Sequence, residues 1–345
     1  MKRNLSSATL ALMTTTAFFS QPVSAGSFGD DITFLKKHTD LVVLSDKQGS
    51  AKVAVSAKYQ GRVMTSTAGG DAGLSFGWIN RELIGSGQLL PHMNAFGGED
   101  RFWLGPEGGQ FSIFFAKGAK FELADWFTPA VIDTLPFKLV SQSPTRAKYA
   151  AEFGLTNYSG TQFKVAVSRE VRLLDAATAW RKLDVMPAEG VRLVGFETDN
   201  QIRNAGRNAW QKDTGLVSIW ILGMYNPSPS ATIVVPIKPG PDSALGKQVT
   251  SDYFGEVPAD RLVVKDNVIF FSADGKYRSK IGISPKRSKA VLGSYDADNH
   301  ALTIVQFSQP AGVTDYVNSL WKLQDNPYGG DAANCYNDGP PSPGA

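Results

Sequence analysis

The sequence predicts an all-β fold, a large antiparallel β-sandwich with few short helices. Three observations predict it. Short β-prone runs recur along almost the whole chain, tight-turn residues separate them, and sustained helical periodicity is absent. Gly and Pro are spread throughout and no shift in composition marks a boundary, so residues 26–345 are expected to form one β-domain.

The elements follow in order. Met1-Lys2-Arg3, a mostly apolar stretch from Leu5 to Phe19, and then Val23-Ser24-Ala25 have the order of a secretory signal peptide over residues 1–25. Its apolar part is too short to span a bilayer. Past it, Asp30 or Asp31 can cap a short helix with Ile32 and Leu35 facing inward, and Lys36 and Lys37 suit the far end of its dipole. Strands are then expected over 41–45, 52–57, 61–66, 74–79, 111–115, 148–155, 163–174, 191–197, 216–222 and 232–237. A later group covers 262–264, 268–272, 280–283, 291–295 and 302–307. Three tight turns are expected, at Lys265-Asp266-Asn267, at Asp274-Gly275 and at Asp296-Ala297-Asp298-Asn299. From Asp325 the chain becomes polar and rich in Gly and Pro, so 326–345 reads as a terminal loop or tail.

Bulk properties narrow the function classes. A net charge of +3 with dispersed Lys and Arg points away from nucleic acid. A single cysteine, Cys335, excludes an internal disulfide, which suits an exported, periplasmic or secreted protein that is not stapled. No membrane anchor is expected once the signal is cleaved.

The segment from Pro91 to Gly109 is the densest in chemistry. It holds His92, Asn94, Glu99, Asp100, Arg101, Trp103 and Glu107 among several glycines. Glycines allow close backbone approach, Asn, Arg and carboxylates bond hydroxyls, and Trp103 offers a flat face to a sugar ring. A loop whose acids and Arg merely pair with one another fits the same composition. Glu99, Asp100 and Glu107 could also ligate calcium, whereas no spacing fits zinc. In the run 163–173, Arg169 interrupts an apolar alternation, so either a bulge turns it outward or it enters a polar groove. Trp220 fits a core position or a groove platform. His38 and His300 read as surface residues, and Lys280, Lys286 and Arg287 as a solvated basic face or an anionic-sugar site.

The stretch Gly97-Gly98-Glu99-Asp100-Arg101-Phe102-Trp103-Leu104-Gly105-Pro106-Glu107 resembles the signature of galactose-mutarotase-like proteins, in particular an exported bacterial branch. Segments 168–174, 215–224 and 336–340 resemble the same branch. The resemblance implies a supersandwich with a carbohydrate-binding groove across one concave face. It also implies sugar-ring opening, in which a carboxylate takes the anomeric proton while a histidine protonates the ring oxygen. Arg101 lies where the motif's sugar-binding Arg lies, and His92 could stand for the binding His. The chain departs from the pattern in lacking His-Gly-Gly and in having no His in Thr198–Gly206. The family's catalytic Glu belongs on a later strand, so the C-terminal part is expected to be incomplete.

The resulting expectation is a periplasmic saccharide-binding protein, an epimerase or mutarotase or else a non-catalytic binder, with no cofactor or metal. His92, Glu99 and Glu107 are the catalytic candidates. Asn94, Asp100, Arg101, Trp103, Arg169 and Trp220 are the candidates for binding a small sugar or oligosaccharide. A purely structural sandwich is the third reading.

Overall fold

The computed structural model describes residues 26–339, so the expected signal segment lies outside the described residues. The described chain is built from antiparallel sheets with a few short helices. Helix α1 (Phe28–Leu35) starts at Ser27, whose Oγ accepts the Asp30 N–H at 3.2 Å, and not at the expected Asp30 or Asp31. The reason is the phase of the helix: Phe28, Ile32 and Leu35 face inward, and this carries Asp31 into the interior, where it meets Arg81.

Strands β1 (Leu41–Ser45), β2 (Lys52–Ser56) and β3 (Arg62–Thr67) form one sheet. Residues 74–79, expected as a strand, make only isolated bridges at Leu74, Gly77 and Ile79 before α2 (Arg81–Ser86). Strand β4 (Arg101–Gly105) arises inside the segment that reads as a loop. Gly97 and Gly98 turn the chain into it with φ of 90° and 106°, and a Cβ on Gly97 would lie 2.0 Å from the Trp78 carbonyl oxygen. Residues 111–115 form no strand. After α3 (Ala130–Asp133), β5 (Lys138–Ser143), β6 (Arg146–Thr156) and β7 (Gln162–Leu174) run in sequence. Helix α4 (Ala176–Leu183) leads to β8 (Gly195–Asn204), which completes the sheet β5-β6-β7-β8. Strand β9 (Ser218–Leu222) pairs with β4, placing Trp220 opposite Trp103.

These three sheets enclose one core, with Val53, Val55, Val63, Phe102, Tyr149, Val165, Val167 and Val171 among its members. A second core lies under the later strands. Strand β10 (Ala231–Pro236), followed by α5 (Asp242–Leu245), centres a five-stranded sheet. That sheet also contains β11 (Leu262–Lys265), β12 (Val268–Ser272), β14 (Val291–Asp296) and β15 (Ala301–Gln306). Strand β13 (Ser279–Ile283) pairs instead with β16 (Ala333–Asn337), so 326–345 contains a strand where a loop or tail was expected. The alternation Ala333, Cys335, Asn337 on one side of β16, with Cys335 packed into the second core, accounts for it.

Two of the three expected turns close hairpins. Asp266 and Asn267, both at positive φ, join β11 to β12. The Asp296 carboxylate accepts the Asp298 and Asn299 N–H groups between β14 and β15. Asp274-Gly275 joins strands of different sheets, because Asp274 pairs with Arg261 and Asn337 instead. Among the described residues, no helix is long and apolar enough to cross a membrane.

Candidate functional site

Most of the polar residues nominated from the sequence are tied up in two closed networks. Arg101 is 2% exposed, and its Nη2 donates to Asp133 Oδ1 at 2.8 Å and to the Ile132 carbonyl at 3.3 Å. Asn94 donates its backbone N–H and its Nδ2 to the same Asp133 carboxylate, the latter at 2.7 Å. The Arg101 guanidinium lies 3.9 Å from the Trp103 ring centroid, and burial lowers its pKa to about 10. Trp103 is 1% exposed and stacks on Phe114, so it offers no face to a sugar. Asn94, Arg101 and Trp103 are therefore part of the packing between β4 and α3.

Arg169 resolves the other way from a bulge. The β7 ladders run without interruption through it and it is fully buried. Its Nε donates to the Gly61 carbonyl at 2.9 Å, its Nη2 to the Asp100 carbonyl at 3.1 Å and to Asp100 Oδ1, and its Nη1 to Asn200 Oδ1. Thr198 Oγ1 donates to the other Asp100 oxygen at 3.0 Å. Arg169 and Asp100 thus tie β7 and β8 to the chain entering β3 and β4, and among the described residues the buried Arg101 and Arg169 do not line a concave groove as expected. Such pairs fix an arrangement, because removing either partner strands a buried charge.

Glu99 and His92 are likewise committed. Glu99 accepts the Ser66 N–H and, at 2.8 Å, the Ser66 hydroxyl, while burial raises its carboxyl to about 7. His92 Nδ1 lies 2.6 Å from the Trp126 carbonyl oxygen, and its ring stacks on Phe127. Glu99 is held by Ser66 and Asp100 by Arg169 and Thr198, and among the described residues no three acids converge on a calcium ion. Two shallow clefts line the edges of β1, β5 and β6, around Ser141–Ser143 and Leu41–Val43. Neither contains a nominated residue.

Glu107 and Trp220 behave differently. Glu107 follows β4 and is half-buried where the first core meets the second. Its backbone is held, the N–H by Ser319 Oγ at 3.3 Å and the carbonyl by the Ser112 hydroxyl at 2.6 Å. Its carboxylate accepts no hydrogen bond among the described residues. Burial raises its pKa to about 7, although Lys280 and Arg101 act in the opposite direction.

Across from it stands Lys280 of β13. It is 9% exposed and makes neither a hydrogen bond nor an ion pair among the described residues. Its Nζ faces three rings, Tyr253 at 4.5 Å, Tyr336 at 5.0 Å and Trp220 at 5.6 Å. Burial lowers its pKa, against the pull of Glu107 and Asp331. Tyr336 is directly opposite on β16, and the Tyr253 hydroxyl donates to Asp331, whose carboxyl is raised by burial. Trp220 is half-buried, packing one part against the first core while its ring meets Lys280.

By sequence Lys280 groups with Lys286 and Arg287. Arg287 instead is buried beside α5, donating to Lys238, Gly240, Asp242 and Gly246. The signal available for Lys280 was its place among Ser279, Ile281 and Ile283, a charged residue in an otherwise buried strand.

The molecule is therefore an antiparallel all-β protein with a carboxylate and a ring-enclosed ammonium, neither hydrogen-bonded among the described residues, between the core of its first three sheets and that of its later strands. The chain belongs to a family of unknown function, DUF6786, whose profile matches residues 26–345. No curated protein matches the sequence. Among solved structures it is similar to the Slr1438 protein of Synechocystis, with 12% identity over 76% of this chain and 75% of that one and a TM-score of 0.41. It is also similar to a galactose mutarotase-like protein of Lactobacillus casei, with 9% identity over 75% and 76% and a TM-score of 0.41.

Proposed function

We propose that this chain is a carbohydrate-active protein that takes a saccharide at the Glu107–Lys280 cluster, with Trp220 as the stacking face and Glu107 as the proton-transfer group. The observation that carries the reading is the pair of charged groups without hydrogen bonds among the described residues, beside partly exposed rings. A sugar ring satisfies both needs at once. Its hydroxyls donate to the carboxylate and accept from the ammonium, and its C–H face packs on an indole. A carboxyl that titrates near neutral pH is suited to exchange a proton with a hydroxyl, as ring opening or epimerisation requires.

Non-catalytic binding is the second reading. The engagement of His92 with the Trp126 carbonyl and of Glu99 with Ser66 favours it, because neither joins Glu107 as a partner acid or base. Export to the periplasm or beyond is part of the proposal. It rests on the charge and apolar order of residues 1–25, and the mass of the mature chain checks it.

The test is equilibrium binding of neutral hexoses, followed by anomer exchange measured by NMR. The wild type is expected to bind, and Trp220→Ala to weaken binding by about tenfold through loss of the stacking face. Exchange that is accelerated by the wild type and not by Glu107→Gln supports the enzyme. Binding without acceleration supports the binder. Absence of any sugar affinity contradicts both.

A further inference from the structure

The charge state around Lys280 says more about the ligand. Four titratable groups face this point: Glu107 after β4, Asp331 before β16, Tyr336 on β16, and Tyr253 ahead of β11. Arg101 also faces Glu107, but its charge is neutralised by Asp133 at 2.8 Å. Asp331 is engaged by the Tyr253 hydroxyl. That leaves Lys280 as a nine-tenths-buried cation whose three N–H donors have no acceptor among the described residues. The rings of Tyr253, Tyr336 and Trp220 offset part of the cost of burying it, but a ring face accepts no strong hydrogen bond.

We infer that the ligand is a sugar acid, whose carboxylate docks on Lys280 Nζ within the three rings while its pyranose ring lies along Trp220 towards Glu107. The inference rests on the saccharide reading above. A carboxylate supplies the charge-assisted acceptor that a neutral hydroxyl does not. A phosphate carries up to two charges and would meet Glu107 and Asp331 with one ammonium to balance them, so a monoanion fits the local charges better. Glu107 adds a pH signature. When it is protonated only Asp331, already engaged by Tyr253, stands against the Lys280 ammonium, and when it ionises a second carboxylate competes with the ligand for Lys280. Acid-sugar affinity therefore falls as pH rises through the Glu107 titration near 7.

Calorimetric titration of the full chain with D-galacturonate, D-glucuronate, the matching neutral hexoses and a hexose 6-phosphate tests this at pH 5.5 and pH 8. The expected result is a uronate preference of about tenfold over the neutral hexose at pH 5.5. Between pH 5.5 and pH 8 the uronate affinity is expected to fall by about tenfold, following the protonated fraction of Glu107. In Lys280→Met the uronate-to-hexose ratio is expected to drop to about one. The pH comparison needs only wild-type protein, so it stands even if that variant folds poorly. Equal affinities for uronate and hexose, no weakening at pH 8, or tighter binding of the phosphate would overturn the inference while leaving the saccharide reading intact. Failure of every sugar to bind would overturn both.

Discussion

Burial lifts the Glu107 carboxyl from 4.5 to about 7, and Glu99 is lifted to the same region by its own burial. An acid whose folded pKa is raised binds its proton more tightly in the folded state than in the unfolded one. Its stabilising contribution is then complete below 4.5 and disappears as pH climbs through 7. Each displacement corresponds to roughly 3 kcal/mol at most. The melting temperature is therefore expected to fall between pH 5 and pH 8. Glu107→Gln removes one of the two contributions, so it should melt higher than the wild type at pH 8 and show a shallower decline. Thermal scans across that range check it, and an unchanged slope would mean that Glu107 is not held in its neutral form. At this same scale the composition of residues 91–109 was informative only in part. It marked where Arg101, Asp100 and Asn94 lie, but their partners Asp133 and Arg169 come from 32 to 69 residues away in the chain. Nothing local announces such pairings.

Among the elements, the strands with regular alternation were the legible ones. The run 163–174 is β7 almost to the residue, and its odd positions are buried throughout. Strand β4 was missed because its residues follow paired glycines and acids, and because it is buried on both faces and so shows no alternation. The two-stranded sheet of β13 and β16 is where the site depends on an element's shape. Gly282 sits two residues from Lys280, and a Cβ there would lie 2.1 Å from Asp331 Oδ2 and 2.5 Å from the Tyr253 hydroxyl. Gly282→Ala should force those two groups apart and shift the rings around Lys280. A cost of roughly 1–3 kcal/mol is expected, together with a loss of ligand affinity. Unfolding in denaturant, followed by binding at a temperature where the variant is folded, measures both. A variant as stable as wild type would mean that the Tyr253–Asp331 contact is not fixed.

For the whole molecule, the all-β class follows from the turn chemistry and the density of strands, and the antiparallel sheets bear it out. The separation of the core under the later strands from that of the first three sheets was not visible, because no change in composition accompanies the passage from β9 to β10. That division is what produces the candidate site, since Trp220 and Glu107 belong to the first half while Lys280, Tyr253 and Tyr336 belong to the second. A ligand there would bridge the halves, and no single stretch of sequence contains the site. The most direct measurement is a titration of isotope-labelled protein with D-galacturonate and D-galactose, followed by NMR. The account predicts that shifts concentrate on the Trp220 indole and on the backbone of Glu107, Lys280 and Tyr336. Shifts confined to Arg101 and Arg169, to the cleft along Ser141–Ser143, or to no residue at all would contradict it.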